Sequence, residues 1–169
     1  MTASMHTLSF SGDILERGFW LYVWEVTKAD GNVVLYVGRT GDNSSPNAQS
    51  PYIRMGQHLG FGETTNMLRK HLEKRGVHPF TCKTFQLIAF GPVLAEVKTM
   101  EQHIPLRDKM AALEKALRDA LALAGYVVLN EVKCTYKLDV GLWREVRAAF
   151  AERFPKLQES VITAVAGEL

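Results

Sequence analysis

Residues 20–26 read WLYVWEV, residues 33–40 read VVLYVGRT, and residues 52–58 read YIRMGQH. The first two runs are rich in aromatic and β-branched side chains, as strands are. Between them Asp30-Gly31-Asn32 is a turn signal, since Gly and Asn tolerate positive φ. The two runs therefore predict an antiparallel hairpin of strands 20–27 and 33–37, which carries both Tyr22 and Tyr36. Residues 38–50 are polar, contain Gly, Asn, Ser and Pro, and predict a loop. Ser50-Pro51 then predicts a helix start, with proline at the first helical position, and Gly60 its end. Arg54 and His58 lie four apart in that helix and share a face.

Working outward, a second helix is expected over 65–75, stopped by Gly76, with Arg69, Lys70, His71, Lys74 and Arg75 on its exposed side. Residues 80–90 predict a third strand, and 91–105 show no regular pattern. Leu106, Met110, Leu113, Leu117 and Leu121 recur every three or four residues, which predicts an amphipathic helix running to Gly125. A short apolar strand over 126–129 ends in Asn130. Asp139 caps a last helix with Leu142, Val146, Phe150 and Phe154 on one side and Pro155 beyond it. Residues 156–169 alternate poorly and are expected to fray or to contact another subunit. The pattern is α+β, with three segments: an N-terminal tail over 1–17, a core over 18–132 and a C-terminal helical extension over 133–169.

A chain of 169 residues, 47% hydrophobic and 22% charged, is large enough for one globular domain with a real core. Its formal charge of +2 declares no basic surface, so any such surface must arise by local clustering. Cys82 and Cys134 match no metal or redox spacing and read as buried free thiols in a reduced compartment. His78 and Cys82 together are too few for zinc. No basic-then-apolar N-terminus and no apolar run of ~20 residues is present, so the expectation is a cytoplasmic protein with no membrane partner.

Cleaving a phosphodiester needs an activated water, stabilisation of charge on phosphorus and help for the leaving oxygen. A carboxylate-held divalent metal serves the last two, and arginine forks suit the second. Tyrosine serves as a base only if positive charge lowers its ordinary pKa near 10, and Arg39 is placed to supply that charge. Each residue also has a plainer reading. Tyr22 and Tyr36 could be cross-strand packing aromatics, Arg54 a surface residue, and His58 a partner of its helix's C-terminal dipole. Glu114 could pair with Arg118 at i+4, Asn130 could be a turn residue, and the basic side of the 65–75 helix could be a solvated face.

The ordered set resembles the GIY-YIG nuclease superfamily over about residues 18–132. Trp20-Leu21-Tyr22 stands for the first tyrosine motif and Tyr36-Val37-Gly38 for the second. Arg39 stands where many members carry a basic residue, and Arg54 and His58 match the arginine helix. Asn66-Met67-Leu68 resembles the start of the next helix, residues 111–117 the glutamate helix, and Leu129-Asn130 the final asparagine motif. Trp20 and Leu21 depart from the glycine and isoleucine of the first motif.

The resemblance implies a small, three-stranded, mainly antiparallel sheet flanked by helices, and a DNA endonuclease dependent on Mg²⁺ or Mn²⁺. Glu114 would hold the metal, Tyr22 or Tyr36 would take the proton of the attacking water, and Arg54 would bind the scissile phosphate. His58 would relay a proton or orient the tyrosine. Arg39, Asn130, Arg69 and Lys70 are the expected substrate-binding residues, with Asn130 positioning the site by hydrogen bonds. The competing readings are a catalytically silent nucleic-acid-binding module of the same fold, an RNA-directed nuclease, and an interaction protein that assembles through residues 139–169.

Overall fold

The computed structural model describes residues 3–42 and 45–158. Strands β1 (Phe19–Thr27) and β2 (Val33–Arg39) form the expected antiparallel hairpin. Its turn closes from Lys28 N to Asn32 O at 2.9 Å, with Gly31 at φ +85°, a conformation that glycine adopts at no steric cost. Helices α1 (Pro51–Leu59) and α2 (Met67–Glu73) follow, then strand β3 (Thr84–Leu94), then helices α3 (Met100–Leu123) and α4 (Val140–Arg153). β3 pairs antiparallel with β1, so the sheet order is β2-β1-β3 and β1 is central. The architecture is α+β, a three-stranded antiparallel sheet flanked by helices.

The central strand serves two cores at once. Phe19, Leu21 and Val23 pack on the face covered by Met110, Leu113 and Leu117 of α3 and Phe150 of α4. Tyr22, Trp24 and Val26 pack on the opposite face with Leu68 and Leu72 of α2. Each such fully buried aliphatic or aromatic side chain contributes about 1.5–3 kcal/mol, and the alternation fixes register, since a one-residue slip would exchange the faces.

Several boundaries differ from the sequence reading. The irregular stretch over 91–105 is divided between β3, which continues to Leu94, and α3, which begins at Met100. Thr99 caps α3 by accepting from Gln102 N, and Pro105 lies within the helix. The third strand starts at Thr84, after a short 3-10 turn at Pro79–Thr81. The strand expected over 126–129 is one parallel bridge, Leu35 to Val128, against β2. Ser50 and Pro51 start α1 as expected, although the serine side chain makes no capping bond. Nor does α4 stand apart as an extension. Val146, Phe150, Phe154 and Leu157 are buried in the same cluster as β1 and α3, so this stripe offers no apolar face for assembly. The rest of the proposed subunit contact, residues 159–169, lies outside the described residues.

Trp20, where the resemblance called for glycine, is accommodated by its neighbour. Its indole lies against Gly91 of β3, where an added Cβ would stand 2.9 Å from Trp20 Cδ2, and Nε1 donates to Glu16 O at 3.1 Å. The room a glycine would leave on β1 has moved to β3. A second close approach is at Gly38, whose position opposite Tyr22 brings the phenol ring over the β2 backbone. A Cβ there would meet Tyr22 ring atoms and the hydroxyl at 2.5–2.6 Å. Gly56, on the exposed side of α1, has nothing within 4 Å.

The two glycines therefore differ in sign. Gly38→Ala should destabilise the protein by about 2 kcal/mol through overpacking, and Gly56→Ala should stabilise it by about 0.5–1 kcal/mol through helix propensity. Urea unfolding of the two variants beside the wild type measures both.

Candidate active site

The site lies where the second core meets α1 and α3. Tyr22 is fully buried, and its hydroxyl stands 2.6 Å from His58 Nε2. The positive charge of Arg54 acts on the same hydroxyl from nearby. One turn of α1 separates Arg54 from His58, so a single helical face turns both groups toward Tyr22. Tyr36, from the neighbouring strand, packs its ring edge-on against His58 with centroids 5.0 Å apart. Its other neighbour is His71 of α2, at 5.6 Å. Across the site, Glu114 of α3 accepts from Arg39 Nε at 2.9 Å. Arg54, Tyr22 and Tyr36 all lie within electrostatic range of Glu114.

Burial dominates the ionisation of this cluster. It pushes the Tyr22 hydroxyl well above the ordinary tyrosine range, against the lowering effect of Arg54. Tyr36 is raised for the same first reason, and then by Tyr22 and Glu114. Burial, followed by the charge of Arg54, depresses His58 to about 3, so the imidazole is neutral at pH 7. The tautomer of the neutral imidazole decides whether Nε2 accepts from or donates to the Tyr22 hydroxyl; Nδ1 is a buried atom with no partner among the described residues. Burial raises Glu114 to about 6 even though Arg39 acts by charge and hydrogen bond to lower it.

Some expectations require correction. Arg39 does not supply the charge that acts on the tyrosines; it is engaged by Glu114 and the carbonyl of Arg107, and Arg54 has that role. Arg69, expected on an exposed face to bind substrate, is 7% exposed and is spent on the last carbonyls of α1, Leu59 O and Gly60 O. Asn130 is also committed within the fold. Its amide clamps Val37 in both directions, accepting from N at 3.0 Å and donating to O at 2.8 Å. It thus positions β2 through both atoms of its amide. Lys70 donates to the carbonyl of Glu63. Glu114 does not pair with Arg118, which bonds Asn130 O instead.

Asp42 was not anticipated. It accepts from Arg54 at 3.1 Å and brings a second carboxylate within electrostatic range of Glu114. The only signal was a lone acid in a polar loop, which carries no periodicity to mark it. Arg54 Nε is buried with no partner, while its other nitrogens reach Gln57 and Asp42. Among the described residues no group of three or more His, Cys, Asp or Glu could hold a metal ion.

No protein-family model, curated protein or solved structure matches this chain. The geometry of the cluster therefore carries the functional argument. No helix among the described residues is long and apolar enough to cross a membrane. Cys82 and Cys134 are free and half-buried.

His58 and Glu114 should pull stability in opposite directions with pH. The depressed pKa of His58 gives a contribution present above pH 6.5 and lost as pH falls toward 3. The raised pKa of Glu114 works in reverse, destabilising above about 6 and ceasing to do so as pH falls toward 4.5. Relative to wild type between pH 6.5 and 4.5, His58→Gln should gain about 2 kcal/mol and Glu114→Gln should lose about 1–2 kcal/mol. Denaturant melts across that range read both slopes.

Proposed function

We propose that the chain is a divalent-metal-dependent endonuclease acting on DNA, of the GIY-YIG type. The observation that carries the reading is the buried Tyr22 hydroxyl bonded to neutral His58 in the field of cationic Arg54, with a desolvated carboxylate also in range. Cross-strand packing alone does not call for an imidazole on the phenol oxygen with an arginine one turn away. The Arg54 nitrogen held by the partly exposed Asp42 is a donor that a phosphate oxygen can take over, in a setting where charge-assisted bonds are strong.

The groups have complementary work. Arg54 holds the scissile phosphate and balances the negative charge that grows on it. The Tyr22 oxygen takes a proton from the attacking water while its own proton passes to His58 Nε2, so the phenol is never required to exist as a free anion. The imidazole resists that proton through burial and through Arg54, and a phosphate that takes the place of Asp42 on Arg54 keeps the second effect compensated. The water oxygen then bonds to phosphorus as the ester oxygen leaves. Tyr36 walls the imidazole and holds its ring plane.

Glu114 fits a metal ligand, because a carboxylate whose burial costs more than Arg39 returns is one that a cation would re-ionise. Bound there, Mg²⁺ or Mn²⁺ would supply Lewis-acid stabilisation of the phosphate and the leaving oxygen. A single protein carboxylate suits Mg²⁺, which keeps several waters.

Supercoiled plasmid incubated with the protein and Mg²⁺ should yield nicked and linear product, and a chelator should abolish it. Glu114→Ala should retain DNA binding and lose cleavage; intact cleavage in that variant sinks the metal-ligand assignment. Tyr22→Phe should lose cleavage with binding unchanged. Since protons compete with the ion for Glu114, the Mg²⁺ concentration for half-maximal rate should rise about tenfold per pH unit below pH 6 and level off above it.

A further inference from the structure

Phe61 and Phe80 are 76% and 80% exposed, among the most solvent-facing large apolar side chains of the described residues. A single exposed apolar residue needs no explanation, but an adjoining pair of rings marks a contact surface. Their centroids are 6.5 Å apart with 31° between the planes. The buried Arg69 guanidinium sits 4.3 Å from the Phe61 centroid and 5.4 Å from that of Phe80. The arginine thus underlies both rings. Arg69 is itself fixed by Leu59 O and Gly60 O at 2.7–3.1 Å. The rings are therefore held on a rigid cationic base rather than left loose on the surface.

The location ties this pair of rings to the candidate site. Phe61 follows His58 by three residues, just beyond the end of α1 at Gly60. From Arg54 to Gly60 the helix rises about 9 Å, two or three nucleotides at the roughly 3.4 Å repeat of one DNA strand. Lys74, exposed at the end of α2, adds positive charge on the helix that carries Arg69. A single strand engages such a surface through its phosphates by charge and its bases by stacking.

We infer that Phe61 and Phe80, seated on Arg69, form a stacking surface for an unpaired base a few nucleotides from the scissile phosphate, so that the preferred DNA carries single-stranded character there. A base within a duplex already has its faces stacked on its neighbours, whereas a base in a flap, a gap or a junction strand can turn a face to the rings. This inference rests on the nuclease reading and adds the substrate class to it.

Fluorescence anisotropy in chelator, with a labelled single-stranded oligonucleotide and a blunt duplex, tests it without cleavage. Phe61→Ala/Phe80→Ala should weaken single-strand binding roughly tenfold or more and move duplex binding less than threefold. Phe61→Leu/Phe80→Leu keeps the apolar cover over Arg69 and should give the same loss, which guards against a folding defect. Phe61→Tyr/Phe80→Tyr should restore wild-type affinity. With Mg²⁺, the wild type should cut a flapped duplex faster than a blunt one, and the leucine pair should erase that preference. If the leucine pair binds single strands as the wild type does, the stacking assignment is overturned while plasmid cleavage leaves the nuclease reading standing. A leucine pair that instead loses self-association in sedimentation, with DNA binding unchanged, assigns the rings to a second copy and also overturns it. If the wild type binds neither DNA and cuts no plasmid, the inference falls with the reading beneath it.

Discussion

Burial of the Tyr22 hydroxyl is the constraint on which the rest of the arrangement depends. A phenol oxygen removed from water needs partners, or it costs on the order of 1–3 kcal/mol. Here the partner comes from another element: His58 Nε2 of α1, at 2.6 Å, with the charge of Arg54 one turn away on the same helix. That requirement fixes how α1 lies on the sheet. It also explains why Gly38 must be a glycine, since the ring reaches its partner only by lying directly over the β2 backbone. The Asn130 clamp on Val37, one residue earlier, then holds that backbone in place. Fold stability and site geometry are thus the same set of contacts, viewed from the core or from the cluster.

How much of this the sequence disclosed follows from how local each cause is. The hairpin, the start of α1 at Ser50-Pro51 and the Asp139 cap on α4 are set by near neighbours, and all were legible. The juxtaposition of Arg54 and His58 was legible because helical spacing is local. The start of α3 was not, because Pro105 reads as a breaker. It lies six residues into a helix already capped by Thr99, and there it removes only one ladder bond. Arg69 was misread for the opposite reason. Its neighbours Lys70, Lys74 and Arg75 suggest a solvated face, while the exposed carbonyls at the end of α1 demanded a cation from across space. No periodicity encodes that demand. Asp42 and the engagement of Arg39 by Glu114 are equally non-local, since the pair spans 75 residues of chain.

The two ion pairs of the cluster differ in a way that assigns them different work. Arg39 and Glu114 each have 15% of the side chain exposed, and their bond joins β2 to α3. Removing one partner from such a pair strands the other in a poorly solvated place, so it is built to persist. In the Arg54–Asp42 pair, the arginine has the same 15% exposure but Asp42 has 35%, and it comes from a loop. A pair with one partially solvated member contributes at most about 1 kcal/mol. A phosphate can therefore displace Asp42 from Arg54 cheaply, and the carboxylate returns to water rather than to a buried void.

In the nuclease we propose, that asymmetry bears on how Tyr22 would become reactive. Exchange of a carboxylate for a phosphate would keep Arg54 compensated, so its depressing effect on His58 would stay reduced while the reacting group is in place. The imidazole would then be limited chiefly by its burial, the larger of the two causes. The arginine that would bind the phosphate thus also tunes the group that would accept the proton, and both stand on one face of α1.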